Sequence, residues 1–245
     1  MRLSGLLLLL ALPLAQAAQP VTVAVASNFQ GPARELANHF HRVTGTEVRI
    51  MTGSTGQLYA HIVNGAPFDV FLAADQRRPQ RLEDAGYVVK DARFTYTTGV
   101  LVLWSVTRDD CEAALRDPNS NHVAIANPAI APFGVAAKEY LKSQGLWDEI
   151  EPRLVYGENV MQVALFVATG NADVGLTADS VLTQDHLSQG GCKIAVPPET
   201  YTPVRQDAVL LTRAAGSDGA KQFFEFLQTY LSRTTNGASG TEAVN

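Results

Sequence analysis

Val23-Ala24-Val25-Ala26-Ser27-Asn28-Phe29 decides how the rest of the chain is read. Small and β-branched apolar residues in an unbroken run read as a strand buried on both faces, as in a sheet covered by helices. At Ser27-Asn28 the run stops and the period changes. Ala33, Leu36, Ala37 and Phe40 then recur at i, i+3, i+4 and i+7, one face of a helix. Pro32 is compatible with that helix only in its first turn, where a missing N–H is no loss. Ser27 and Asn28 therefore stand between the carboxyl end of a strand and a helix N-terminus, with hydroxyl, amide and backbone N–H groups facing outward. Such a junction either caps its helix or holds an anion, and the local sequence allows both.

The plan recurs downstream. Residues 46–51 alternate and read as a second strand, which ends in Thr52-Gly53-Ser54-Thr55-Gly56. Leu58, Tyr59, Ile62 and Val63 then share one helix face. Gly53 and Gly56 leave room for a ligand to approach the backbone; a plain turn with an N-cap is the alternative. Asn64-Gly65-Ala66-Pro67 ends that helix, residues 68–73 form a third buried strand, and Ala74-Asp75 leads into a polar helix that stops at Gly86. Asp75, at a helix start, is read as structural because it favours its own helix dipole. Three strand–helix units in succession predict a parallel, right-handed α/β sheet.

Residues 94–105 and 202–212 are long β-rich runs that bracket the middle of the chain, and Gly99 within the first marks a bend or a close backbone approach. They predict two crossover strands between two lobes, the first comprising residues 18–97 plus 203–245 and the second residues 98–202. In the second lobe, the strand Val123-Ala124-Ile125-Ala126 runs into Asn127-Pro128 and a helix with Phe133, Ala136, Ala137 and Tyr140 in register. Leu154-Val155-Tyr156 runs into Gly157-Glu158-Asn159-Val160 and a helix with Val160, Val163, Ala164 and Val167 in register. Residues 173–177 and 191–196 supply two more strands. Phe223, Leu227, Tyr230 and Leu231 give the last helix its core face, and the polar residues 234–245 read as a loose tail. The fold class is α/β, with a ligand cleft between two lobes.

Composition sets the setting. Met1-Arg2-Leu3, an uncharged run over residues 6–14 and Ala15-Gln16-Ala17 have the form of a cleaved secretory signal peptide over residues 1–17, so a periplasmic protein without membrane insertion is expected. Cys111 and Cys192 are the only cysteines, and an even count in an exported protein predicts a disulfide. A formal charge of −5 without a basic run argues against nucleic acid as a partner. No nucleophile elbow, phosphate loop, zinc motif or Cys/His cluster is present, and His39, His41, His61, His122 and His186 are scattered. The expectation is a binding protein, not an enzyme, with no cofactor and no metal ligated directly by side chains.

Four helix starts are thus the candidate site: Ser27-Asn28, Ser54-Thr55, Phe133 and Val160. In open α/β sheets ligands bind off the carboxyl ends of strands, where these loops lie. The loops offer hydroxyls, backbone N–H groups and helix dipoles but no Lys or Arg. That set suits a compact, fully deprotonated tetrahedral oxyanion better than a protonated phosphate, which would need acceptors. Phe133 and Val160 offer only backbone N–H and pocket walls, with core packing as the alternative.

Val25-Ala26-Ser27-Asn28-Phe29, Gly53-Ser54-Thr55-Gly56, Asn64-Gly65-Ala66-Pro67-Phe68-Asp69-Val70-Phe71 and Ala73-Ala74-Asp75 resemble the first lobe of periplasmic molybdate-binding proteins. Asn127-Pro128 with Pro132-Phe133-Gly134, and Gly157-Glu158-Asn159-Val160, resemble the second lobe. The resemblance spans nearly the whole chain beyond the signal sequence. It implies a type II periplasmic binding protein, the monomeric receptor that hands molybdate, and usually tungstate, to an ABC permease in the inner membrane. Carried over, the oxyanion ligands are Ser27 with Asn28, Ser54 or Thr55, and the backbone at Phe133 and Val160. Some members add a tyrosine where this chain has Ala178; Asn28 is placed to compensate. Other readings of the same fold are a receptor for sulfate or thiosulfate, a sensory binding domain, and a cleft enzyme.

Overall fold

The computed structural model describes residues 19–118, 120, 122–183 and 190–236. Residues 1–17, read from the sequence as a signal peptide, lie outside the described residues, as do His186 and residues 237–245 of the tail.

The described residues form two five-stranded sheets. In the first lobe β1 (Val21–Ala26) leads through a 3-10 turn, Ser27–Phe29, into α1 (Gln30–Thr44). Then follow β2 (Val48–Gly53), α2 (Thr55–Val63), β3 (Val70–Leu72), α3 (Arg77–Asp84) and β4 (Val88–Gly99). The second lobe contains β5 (Leu101–Ser105), α4 (Cys111–Arg116), β6 (Val123–Ala126), α5 (Pro132–Ser143), α6 (Trp147–Ile150), β7 (Leu154–Gly157), α7 (Val160–Ala168), β8 (Val174–Ala178) and β9 (Cys192–Ala195). The chain then returns to the first lobe in β10 (Val204–Leu211) and ends in α8 (Asp218–Asn236).

Strand order is β2-β1-β3-β10-β4 in one sheet and β7-β6-β8-β5-β9 in the other. The early strands pair in parallel, but β10 runs antiparallel to β3 and β4, and β5 antiparallel to β8 and β9. The sheets are therefore mixed rather than purely parallel. A strand that crosses from the other lobe enters its sheet from the opposite end, which reverses its direction. β2 and β7 form the sheet edges remote from the crossovers.

Strand alternation explains the small residues of the opening stretch. Val21, Val23 and Val25 face α1 and α8 in one core layer, whereas Ala24 faces α2 with Leu58, Ile62 and Phe71 in the other. Ala26 and Ala74 pack into the second lobe's core, so the two lobes touch across the cleft. Gly99 ends β4 where a Cβ would lie 2.4 Å from Phe133 Cζ and 2.6 Å from Gln206 Nε2; the lobes close on its bare backbone.

Some elements differ from the sequence expectation. β4 begins at Val88, ahead of the β-rich run at residues 94–105, and its pairing with β10 is broken by register shifts. α8 continues to Asn236, past the expected start of the loose tail, since no helix breaker precedes Gly237. Cys111 on α4 and Cys192 on β9 are joined by a disulfide. Among the described residues no helix is long and apolar enough to cross a membrane.

Candidate functional site

The residues singled out at the helix starts come together. Ser27, Asn28, Ser54, Thr55, Phe133 and Val160 line one small cavity between the lobes. Its free space of about 10 Å³ holds a water-sized sphere and admits one compact ion at most. A larger groove of about 320 Å³ flanks the cleft beside the crossover, lined by Asp75, Arg77, Glu139 and Arg205 among others. Its size does not make it the stronger candidate, because none of the convergent helix starts except Pro132 of α5 reaches it.

Each donor is available for a definable reason. Among the described residues the Ser27 hydroxyl makes no hydrogen bond; since no buried side-chain oxygen among them lacks a partner, it is open to the cavity although the residue as a whole is only 6% exposed. Ser54 and Thr55, indistinguishable by sequence position, differ in what they do. Ser54 builds a capping box: its Oγ accepts from the Gln57 N–H, and the Gln57 side chain accepts from the Ser54 N–H. Its own hydroxyl hydrogen goes to Gln57 Oε1 at 3.0 Å. Thr55 Oγ1 instead accepts from the Ala74 N–H at 3.0 Å, which leaves its hydroxyl hydrogen free to donate. Thr55 is also the first residue of α2, so its N–H has no partner within the helix.

In the second lobe the donors are backbone groups. Ala131 at the start of α5 makes no side-chain cap, and Pro132 has no N–H. The carbonyl of Ala131 takes the N–H groups of Gly134 and Val135, so the N–H of Phe133 is left over. At α7 the Asn159 side chain accepts from Met161 and Gln162, leaving the N–H of Val160. The side chains of Phe133 and Val160 are buried in the second lobe's core. The core-packing alternative considered for them thus holds for the side chains, while both residues also line the cavity.

Asn28 is buried, and its Nδ2 donates to Gln206 Oε1 at 2.9 Å. Further bonds cross the cleft: Gly56 N–H to Ile130 O at 2.8 Å, Arg78 Nη2 to Ala129 O at 3.3 Å, Gln57 Nε2 to Glu158 Oε2 at 3.3 Å, and Ser180 Oγ to Asn28 O at 2.8 Å. A Cβ on Gly56 would lie 2.8 Å from Ile130 O, so glycine is needed there for the lobes to meet. Arg78 is buried and ion-paired with Asp75, which also accepts from the Arg78 N–H at the start of α3. Its charge is thereby engaged outside the cavity.

The cavity lining carries no titratable side chain. Tyr96, just behind it, is fully buried, and desolvation, reinforced by Asp207 and Asp75, raises its hydroxyl well above the ordinary value, so it remains a neutral donor. Among the described residues no group of three or more His, Cys, Asp or Glu side chains is placed to hold a metal ion. Chemically the site can donate hydrogen bonds to an anion; it offers no group to move protons. Sequence reasoning did not find Gln206, Tyr96, Ser180 or the Gln57–Glu158 pair. The available signal was Arg205-Gln206-Asp207, a polar run inside an otherwise apolar crossover strand, two of whose members are buried.

Residues 21–235 match the family of bacterial extracellular solute-binding proteins. The chain is 42% identical to the molybdate-binding protein ModA of Rhodobacter capsulatus over 92% of its own length and 89% of the relative's. It is 44% identical to that of Azotobacter vinelandii over 87% and 86%. The solved structure of the periplasmic molybdate-binding protein of Azotobacter vinelandii superposes with a TM-score of 0.79 at 36% identity, covering 85% of this chain and 92% of that one. A sulfate-binding protein of Mycobacterium tuberculosis shares the fold, with a TM-score of 0.67 at 15% identity.

Proposed function

The chain belongs to the bacterial extracellular solute-binding proteins, and from that premise we propose that it captures molybdate, and tungstate with it, for delivery to an ABC importer. One observation carries the ligand reading: uncharged donors from separate helix starts in both lobes converge on a cavity the size of a compact ion. Ser27, Asn28 and Thr55 supply side-chain donors. Thr55, Phe133 and Val160 supply helix N-terminal N–H groups, which favour negative charge. Ser54 acts indirectly, by capping α2 so that Thr55 is presented.

Binding proceeds by closure. The oxyanion docks on the first lobe's donors, and rotation about the crossovers near Gly99 and Val204 brings Phe133 and Val160 onto it. Exclusion of water then strengthens each charge-assisted bond. The closed form, latched by the contacts of Gly56, Gln57, Arg78 and Ser180, is what an inner-membrane permease would recognise. Turnover is not part of this reading, because the lining has no acid, base or activated nucleophile. A periplasmic location rests on the signal-like residues 1–17, and a monomer on the resemblance.

Isothermal titration of the protein lacking residues 1–17, stripped of bound ligand, tests the proposal. Molybdate and tungstate should each bind one to one, with sulfate and phosphate giving no heat at equal concentration. Binding of sulfate or phosphate in place of molybdate would keep the mechanism and overturn the ligand.

A further inference from the structure

We propose that Gln206 is the residue that positions the cavity's amide donor, Asn28, and so sets oxyanion affinity without touching the ion. The inference rests on the molybdate reading of the site. Gln206 is 1% exposed in β10, whose other members except Arg205 and Asp207 are apolar. A buried primary amide is costly unless its polar atoms are satisfied, and here the partners are specific. Gln206 Oε1 accepts from Asn28 Nδ2 at 2.9 Å and from Tyr96 Oη at 2.9 Å. Tyr96 also lies 3.1 Å from the Ala73 carbonyl, which ties the network to the end of β3.

The chemistry follows from what an asparagine can present. Its amide has an oxygen that repels an oxyanion and an NH2 that attracts it, and a half-turn of the side chain exchanges them. An acceptor at Gln206 holds the nitrogen on one side, leaving the second N–H of Nδ2 for the cavity that Asn28 lines. The buried Tyr96 hydroxyl, neutral throughout the working pH range, shares its one hydrogen between this oxygen at 2.9 Å and the Ala73 carbonyl at 3.1 Å, and so adds a second, weaker hold on the orientation of Gln206. Gly99 leaves the space in which Gln206 Nε2 sits. Ser180 of the second lobe grips the Asn28 carbonyl at 2.8 Å, so the oriented amide is locked further when the lobes are closed. The crossover strands β4 and β10 thus reach the ion through one amide-to-amide bond.

The test is a double-mutant cycle read by titration with molybdate and tungstate. Gln206→Met keeps length and burial but removes the acceptor; it should weaken molybdate binding about tenfold, the scale of one misdirected bond to a charged ligand. In an Asn28→Ala background the same substitution should change affinity by less than about twofold, since the group it positions is gone. A general loss of packing would weaken both backgrounds alike, and that result overturns the inference, as does wild-type affinity in Gln206→Met. Should Gln206→Met fail to fold, Tyr96→Phe carries the same test: a loss of about threefold that vanishes with Asn28→Ala supports the inference, and no loss overturns it. Absence of molybdate binding by the unmodified protein overturns the ligand reading and this inference with it, whereas equal losses in both backgrounds sink this inference alone.

Discussion

The first lobe offers the cavity side chains: the Ser27 hydroxyl, the Asn28 amide and the Thr55 hydroxyl, each buried and each set by a neighbouring polar group or left free. The second lobe offers backbone N–H groups of Phe133 and Val160, whose side chains belong to its core. In the first case the donor is chosen residue by residue. In the second it is whatever the helix start leaves over after Pro132 and Asn159 have acted. The lobes also differ in how they are held. Both sheets are covered by apolar layers, but the second lobe is in addition stapled by Cys111–Cys192, which spans 81 residues. Replacing side chains should therefore damage ligand binding in one lobe and stability in the other.

Removal of the disulfide is the largest expected effect and falls on the second lobe alone. Cys192 pairs with Ser105 at the end of β5 opposite Leu101 and Ala178, so the bridge lies away from the cleft. A doubly substituted Cys111→Ser/Cys192→Ser protein should lose about 2–5 kcal/mol of stability through the freed unfolded chain. By calorimetry its melting point should fall by roughly 4–20 °C, with molybdate affinity at 25 °C held within about twofold. A weakened site with unchanged melting would break the division of labour between staple and cavity.

Thr55→Val comes next, because Thr55 does two things. It accepts the Ala74 N–H and has a hydroxyl hydrogen to give the ion. Loss of the donor should weaken molybdate binding about tenfold to a hundredfold, and the orphaned Ala74 N–H should add about 1–3 kcal/mol of destabilisation. Ser54→Ala is the informative partner. It removes the cap of α2 and should cost about 1 kcal/mol of stability with a smaller loss of affinity. If Ser54→Ala proved the worse binder, the roles of the two residues would be exchanged.

The sequence made the strand–loop–helix plan legible because its signals are local. Val23-Ala24-Val25-Ala26 before a change of period, and Gly-then-Pro at residues 65–67, act over a few residues. The helix starts that line the cavity could be located for the same reason. What it hid are pairings made only by closure of the fold: Asn28 with Gln206, 178 residues apart; Tyr96 with Gln206, 110 apart; Gln57 with Glu158, 101 apart. No periodicity encodes those partners. The early part of β4 was hidden differently, by Asp91 at φ 60° and by the register shift between Val209 and Leu211, which interrupt the alternation a strand should show. The choice between Ser54 and Thr55 needed the third dimension, because which hydroxyl is already engaged depends on Gln57 and Ala74.

Ser27→Ala isolates the first lobe's chemistry most cleanly. The hydroxyl lines the cavity and makes no hydrogen bond among the described residues, so its removal leaves nothing orphaned. Stability should change by less than about 0.5 kcal/mol, while molybdate affinity falls about tenfold to a hundredfold, the range for one bond to a charged group. Equal titration curves for the two proteins would remove Ser27 from the site.

The smallest effect is expected where the second lobe's side chain is changed and its backbone is not. Val160→Ala trims methyl groups from the core and should cost about 1–2 kcal/mol of stability, yet affinity should stay within about threefold because the N–H remains. Val160→Pro reverses the pattern. Val160 is the first residue of α7, a position that accepts proline, and Asn159 before it is extended, as a residue preceding proline must be. The helix should survive with the cap from Asn159 to Met161 and Gln162 intact. The donor N–H is deleted together with the valine side chain, whose separate cost Val160→Ala measures, and affinity should fall about tenfold. The two substitutions at one position thus separate wall from donor. If Val160→Ala weakened binding as much as Val160→Pro, the second lobe would be acting through packing, and the contrast between its backbone chemistry and the first lobe's hydroxyls would fail.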